Sequence, residues 1–126
     1  MKKLFLSYTT RDAEVDQALL HQLAESLSSA YDLYIDLLHN DSNEKQERVI
    51  FELERADQVL ILGSDSITKS GWAMYERARA LELGIEILEC RVPTDSSPLE
   101  ILNSALGVLK QTDNRHVAQT VASGVC

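Results

Sequence analysis

Val59-Leu60-Ile61-Leu62, closed by Gly63, is the stretch that decides the fold. Four consecutive apolar residues, two of them β-branched, leave no polar face, so the segment reads as a strand covered on both sides. Such strands belong to parallel sheets with helices above and below. The flanks agree. Upstream, Val49, Ile50, Leu53 and Ala56 give a helix its apolar face, and Asp41 with Glu44 three residues later resembles a capping box. Downstream, Ser70 can cap a third helix that runs to about Leu83, where Gly84 stops it.

Farther out the alternation continues. Leu4-Phe5-Leu6 reads as the first strand. Asp12 stands as an N-cap, and Val15, Leu19, Leu23 and Leu27 recur every four residues on a helix of about 16 residues. Leu33-Tyr34-Ile35 reads as a second strand ending at Asp36, and His39 to Asn43 as a polar turn. Ile85-Glu86-Ile87-Leu88 reads as a fourth strand. Ser97-Pro98-Leu99-Glu100 combines an N-cap, a first-turn proline and a Glu at the third helical position, with Leu99, Leu102, Leu106 and Leu109 as the stripe. After Lys110 the signal fades, so residues 113–126 read as a short helix or tail of the domain formed by residues 1–112.

Strand–helix alternation of this kind predicts an α/β fold of three layers, flavodoxin-like, with a four- to five-stranded parallel sheet. In such sheets ligands sit beyond the carboxyl ends of the strands, where the strand order reverses. For a flavodoxin-like order that point lies between the first and third strands. Ser7-Tyr8-Thr9-Thr10 and Gly63-Ser64-Asp65-Ser66 converge there, both rich in hydroxyls suited to a ribose or phosphate.

Composition narrows the functions. The chain has 126 residues, 44% hydrophobic and 25% charged, which is the usage of one globular domain. Twelve Lys and Arg against twenty Asp and Glu give a net charge of −8, which disfavours nucleic acid and anionic membranes as partners. No apolar run approaches the ~18–20 residues of a membrane span, and the Leu4-Phe5-Leu6 run ends too soon for a secretory leader. Cys90 and Cys126 have no CxxC spacing, and His21, His39 and His116 are scattered. A cytoplasmic, metal-free domain is the expectation. The first strand is followed neither by the acidic pair of a receiver domain nor by GxGxxG.

One constellation carries chemistry. In Ser70-Gly71-Trp72-Ala73-Met74-Tyr75-Glu76, Trp72 and Glu76 lie four residues apart on one helical face. Glu76 stands roughly 9 Å past the cap. A carboxylate beside an aromatic wall, near the ligand edge of the sheet, is a candidate functional acid; the plainer reading is a surface glutamate paired with Arg79.

Lys3 to Arg91, about 90 of the 126 residues, resembles a TIR domain of the bacterial kind. Leu4-Phe5-Leu6-Ser7-Tyr8-Thr9-Thr10-Arg11-Asp12 is similar to that family's first strand and hydroxyl-rich loop. Ser64, Ser70, Trp72 and Glu76 match its pattern of two serines, a tryptophan and a glutamate. The resemblance implies an enzyme that cleaves the nicotinamide N-glycosidic bond of NAD, with NAD as substrate and no further cofactor. It implies Glu76 as the catalytic residue, with Ser64, Ser70 and Trp72 beside it; Ser7, Tyr8 and Thr9 of the hydroxyl-rich loop and Asp36 at the tip of the second strand are the further candidate substrate-binding residues. The segment from about Leu37 to Asn43 matches the family's mobile assembly loop, so self-assembly, a separate activator and a role in antiviral or stress signalling are implied too. The family's fifth strand has no visible counterpart.

Nicotinamide leaves NAD as a neutral base from a cationic state, so one carboxylate facing the oxocarbenium-like transition state suffices. Two other functions compete. Glu76, Ala80 and Gly84 recur every four residues, as in the nucleoside deoxyribosyltransferase and nucleotide N-glycosidase group, which would need a proton donor such as Asp36 or Asp65. A non-catalytic TIR module assembling head to tail would need no Glu76 at all.

Overall fold

The computed structural model describes residues 1–125, with side chains up to Gln111; Cys126 lies outside the described residues. Strands β1 (Lys2–Ser7), β2 (Tyr31–Tyr34), β3 (Gln58–Gly63) and β4 (Glu86–Arg91) form one parallel sheet in the order β2-β1-β3-β4. Helices α1 (Gln17–Leu27), α2 (Asp36–His39), α3 (Lys45–Glu54), α4 (Gly71–Glu82) and α5 (Pro98–Val125) complete it, with a 3₁₀ turn at Ile67–Lys69. The fold is α/β with three layers, and four strands are present among the described residues.

The period of two along each strand sorts the core into two halves. Leu4, Leu6, Leu60, Leu62 and Cys90 pack against Leu19, Leu20, Leu23 and Leu27 of α1 and against Ile101 and Ala105 of α5. Phe5, Val59 and Ile61 turn the other way, onto Val49 and Leu53 of α3 and Ala80 of α4. Both faces of β3 are therefore covered, as its unbroken apolar run requires. Ser7 follows Phe5 by two residues, so its side chain leaves the sheet on the α3/α4 side.

Local signals explain most ends. Ser70 caps α4 by accepting from Ala73 N–H at 3.2 Å, and Gly84 ends the helix at a φ of 71°. Ser97 and Glu100 form the reciprocal capping box of α5: Glu100 N–H donates to Ser97 Oγ, and Ser97 N–H donates to Glu100 Oε1.

Four expectations are corrected. Asp16, not Asp12, caps α1, because the Asp12 carboxylate is engaged 54 residues away by Ser66, whose N–H and hydroxyl each donate to it at 2.8 Å. Asp41 makes no capping box; Glu44 holds the cap position of α3 without a side-chain bond, and Asp41 faces Arg48 instead. The polar turn begins later than His39, because Asp36–His39 is a short helix. The buried stripe of α5 is Ile101, Ala105 and Leu109, and Leu99 is 65% exposed. Residues 113–125 continue α5 as helix.

Candidate functional site

The switch point between β1 and β3 puts Ser7 and Glu76 together. Ser7 sits at the carboxyl end of β1 and Glu76 on the second turn of α4, on the same side of the sheet. Ser7 Oγ donates to Glu76 Oε1 at 2.9 Å across 69 residues of sequence. Both are buried, Glu76 being 5% exposed. Arg79, the partner expected by the plainer reading, pairs instead with Glu54 and Glu82.

Glu76 opens onto a cavity of about 270 Å³ lined by Leu6, Tyr8, Thr9, Thr10, Asp36, Leu37, Trp72 and Glu76. Two carboxylates line it, and neither a Lys nor an Arg is among these residues. Burial pushes the Glu76 carboxyl up to about 7; the Ser7 hydroxyl draws it back, and the Asp36 charge adds to the rise. At neutral pH this acid is poised between its two forms, which an exposed glutamate is not.

The walls are fixed by local structure. Tyr8 Oη accepts from Leu37 N–H at 2.9 Å, which ties the loop after β1 to α2. Burial, partly opposed by that N–H, pushes the Tyr8 phenol up to about 12, so it stays protonated and can donate. Asp36 Oδ1 accepts from Tyr34 Oη at 2.9 Å and from Asn40 Nδ2 at 2.7 Å. Trp72 is 39% exposed and stacks on Tyr75, with ring centroids 5.2 Å apart and planes at 10°. Its side chain lines the cavity together with the two carboxylates.

Of the residues singled out by sequence, Tyr8, Thr9, Asp36, Trp72 and Glu76 share this cavity, and Ser7 supports Glu76 from beneath. Ser70 does not line it; its hydroxyl is spent on the α4 cap. Ser64 does not line it either. Its hydroxyl is buried without a hydrogen bond of ordinary geometry, although it lies beside Asp12 and, ahead of Ser66, holds that carboxyl below its usual range. Asp65 accepts from Thr94 Oγ1, away from the cavity.

Sequence reasoning missed Asn40, which is 7% exposed. Its Nδ2 donates to Asp36 Oδ1 and to Lys45 O, its Oδ1 accepts from Ser42 N–H, and its backbone carbonyl accepts from Lys45 Nζ. A fully bonded buried amide is a signal only after folding, since Asn40 looks like any turn residue in the chain. Among the described residues, no group of three or more His, Cys, Asp or Glu could hold a metal ion. No described helix is long and apolar enough to cross a membrane.

No family model matches this chain, and no curated protein sequence matches it.

Proposed function

We propose that this chain cleaves the nicotinamide N-glycosidic bond of NAD in the cavity beside Glu76, as the resemblance to bacterial TIR domains implies. The observation that supports it is a buried carboxylate joined by a second carboxylate in a cavity lined by no Lys or Arg among the described residues. Such a hollow favours a positive charge, and the reacting end of NAD is a pyridinium. Tyr8 and Trp72 offer aromatic faces for it.

In the reaction, the bond between C1′ of the ribose and the pyridinium nitrogen breaks. Its electron pair goes to the ring, which departs as neutral nicotinamide. The ionised form of Glu76 stabilises the positive charge that develops on the ribose. Ser7 holds that carboxylate by one donated hydrogen bond, and burial keeps competing water few. Water adding to C1′ and losing a proton gives ADP-ribose; an adenine nitrogen adding instead gives a cyclic product.

A second reading draws on Asp36. Its presence in the cavity meets the need of a nucleotide N-glycosidase or deoxyribosyltransferase for a second acid, a need that Asp65 does not meet. Nicotinamide release from NAD, and base release from a nucleotide panel, are measured for the wild type and Glu76→Gln at protein concentrations high enough to drive assembly. Release from NAD that is lost in Glu76→Gln supports the proposal. Base release from nucleotides with NAD intact favours the second reading. Release from neither substrate leaves an assembly module.

A further inference from the structure

Helix α2 is only four residues long, too short to hold itself in water. Two side chains fix it in place. Tyr8 Oη accepts from Leu37 N–H at 2.9 Å. His39 Nδ1 accepts from Ile35 N–H at 2.9 Å, reaching back over the turn much as the glutamate of a capping box does. Ile35 is fully buried at the N-cap position, so its N–H has no water to fall back on. What α2 holds in turn is the acidic cavity. Asp36 and Leu37 both line it, and the Asp36 carboxylate takes its bonds from Tyr34 before the helix and Asn40 after it.

An imidazole accepts at Nδ1 only while that nitrogen carries no proton, so the ring is neutral with its proton on Nε2. A second proton would set N–H against N–H, and the bond to Ile35 would become a repulsion. The surroundings hold that proton off. Burial pushes the His39 imidazole below its ordinary 6.5; Glu52 opposes this, and Arg48 adds to it. Lys3 of β1, Asp32 and Tyr34 of β2, and Arg48 and Glu52 of α3 line one cavity with His39, and Asp36 begins its own helix. Lys3 faces Asp32 and Arg48 bonds Glu52, so neither sign of charge dominates around the ring.

We propose that His39 is a pH-sensitive latch on the wall of the acidic cavity: neutral, it holds α2 closed; protonated, it lets go of Ile35, and Asp36 and Leu37 leave the positions that shape the cavity. The latch goes beyond the cleavage reading and does not depend on it, because it sets the shape of the hollow whatever the hollow binds.

Nuclear magnetic resonance of the full chain, in the wild type and in His39→Asn, tests it from about pH 8 to about pH 5. Asparagine can place an uncharged amide oxygen where Nδ1 stands, which keeps the acceptor and removes the titration. Glu76 takes up its proton at about 7 in both proteins, so the difference between them isolates His39. In the wild type the His39 ring is expected with its proton on Nε2 at pH 8 and a midpoint below 6.5, and the Ile35 and Leu37 amide signals should move with that midpoint. Exchange protection of the Leu37 amide should fall about tenfold or more across it. Trp72, the only tryptophan and a lining residue of the cavity, should change its fluorescence with the same midpoint. In His39→Asn all three signals should stay level below 6.5. A proton on Nδ1 at pH 8, or a ring that does not titrate in this range, overturns the latch. So do Ile35 and Leu37 amides that ignore the ring, or that move alike in His39→Asn. None of these signals requires cleavage, so their failure leaves the cleavage reading standing, and a failure of cleavage leaves the latch standing.

Discussion

Two hollows of the molecule treat charge in opposite ways. On one side, a cavity of about 100 Å³ is lined by Lys3, Asp32, His39, Arg48 and Glu52 among others. Its acids are matched: Lys3 faces Asp32 at 3.5 Å, and Arg48 bonds Glu52 at 2.9 Å. On the other side, Asp36 and Glu76 share a cavity of about 270 Å³ with a hydroxyl apiece and no cation among the lining residues. Compensated charge is what structure alone requires. Two carboxylates brought together without a cation cost stability, and such costs collect at functional sites.

The sharpest way to break this contrast is to neutralise one acid. Glu76→Gln keeps the shape and is expected to lower nicotinamide release by about 10²–10³-fold, the usual effect of removing one electrostatic stabiliser. An initial-rate assay with NAD checks it, and rates within threefold of the wild type would place Glu76 with the matched acids.

The same substitution should act on stability in the other direction. The folded carboxyl titrates at about 7 and the unfolded one near its ordinary 4.5, so the unfolded chain binds fewer protons between those values. The stability contributed by the neutral form is complete below about pH 4.5 and lost as the pH rises through 7. Urea unfolding is expected to show wild-type stability falling by up to about 3 kcal/mol across that window, with the fall absent in Glu76→Gln.

A smaller effect is expected at Asn40, which ties Asp36 of the acidic cavity to Lys45. Asn40→Ala unties Lys45 O and one bond of Asp36, and should cost about 1–3 kcal/mol in chemical denaturation while weakening cleavage. The smallest belongs to the matched side. Arg48→Ala removes a half-buried pair and a cation over Tyr34, and should cost about 1 kcal/mol with cleavage nearly unchanged. A large loss of activity there would erase the distinction between the hollows.

How far these regions could be read from the chain depended on how local their causes are. β3 was legible because four apolar residues in a row have few homes other than a doubly covered strand. Ser70 and the Ser97–Glu100 box were legible because a cap is closed within three residues. The Trp72–Glu76 face was legible from helical spacing, and so was its meeting with the β1 loop once the switch point was assumed.

The misses have distant causes. Asp12 is drawn off by Ser66, and the α1 cap moves to Asp16. The turn expected from His39 starts one residue later because His39 closes α2, which is held by Tyr8 Oη accepting from Leu37 N–H and by His39 Nδ1 accepting from Ile35 N–H. On α5, two apolar stripes have similar spacing; contact with Cys90 and α1 selects Ile101 and Ala105 and leaves Leu99 in solvent. The pairing of Asp36 with Glu76 could not be read locally, since 40 residues separate them.

The pH dependence of nicotinamide release couples the buried Glu76 carboxyl to the chemistry. The kcat/KM for NAD is expected to rise with pH as a single ionisation near 7, and Asp36→Asn to move the midpoint down by removing the neighbouring charge. A profile flat across neutrality, or no release at any pH, would contradict it.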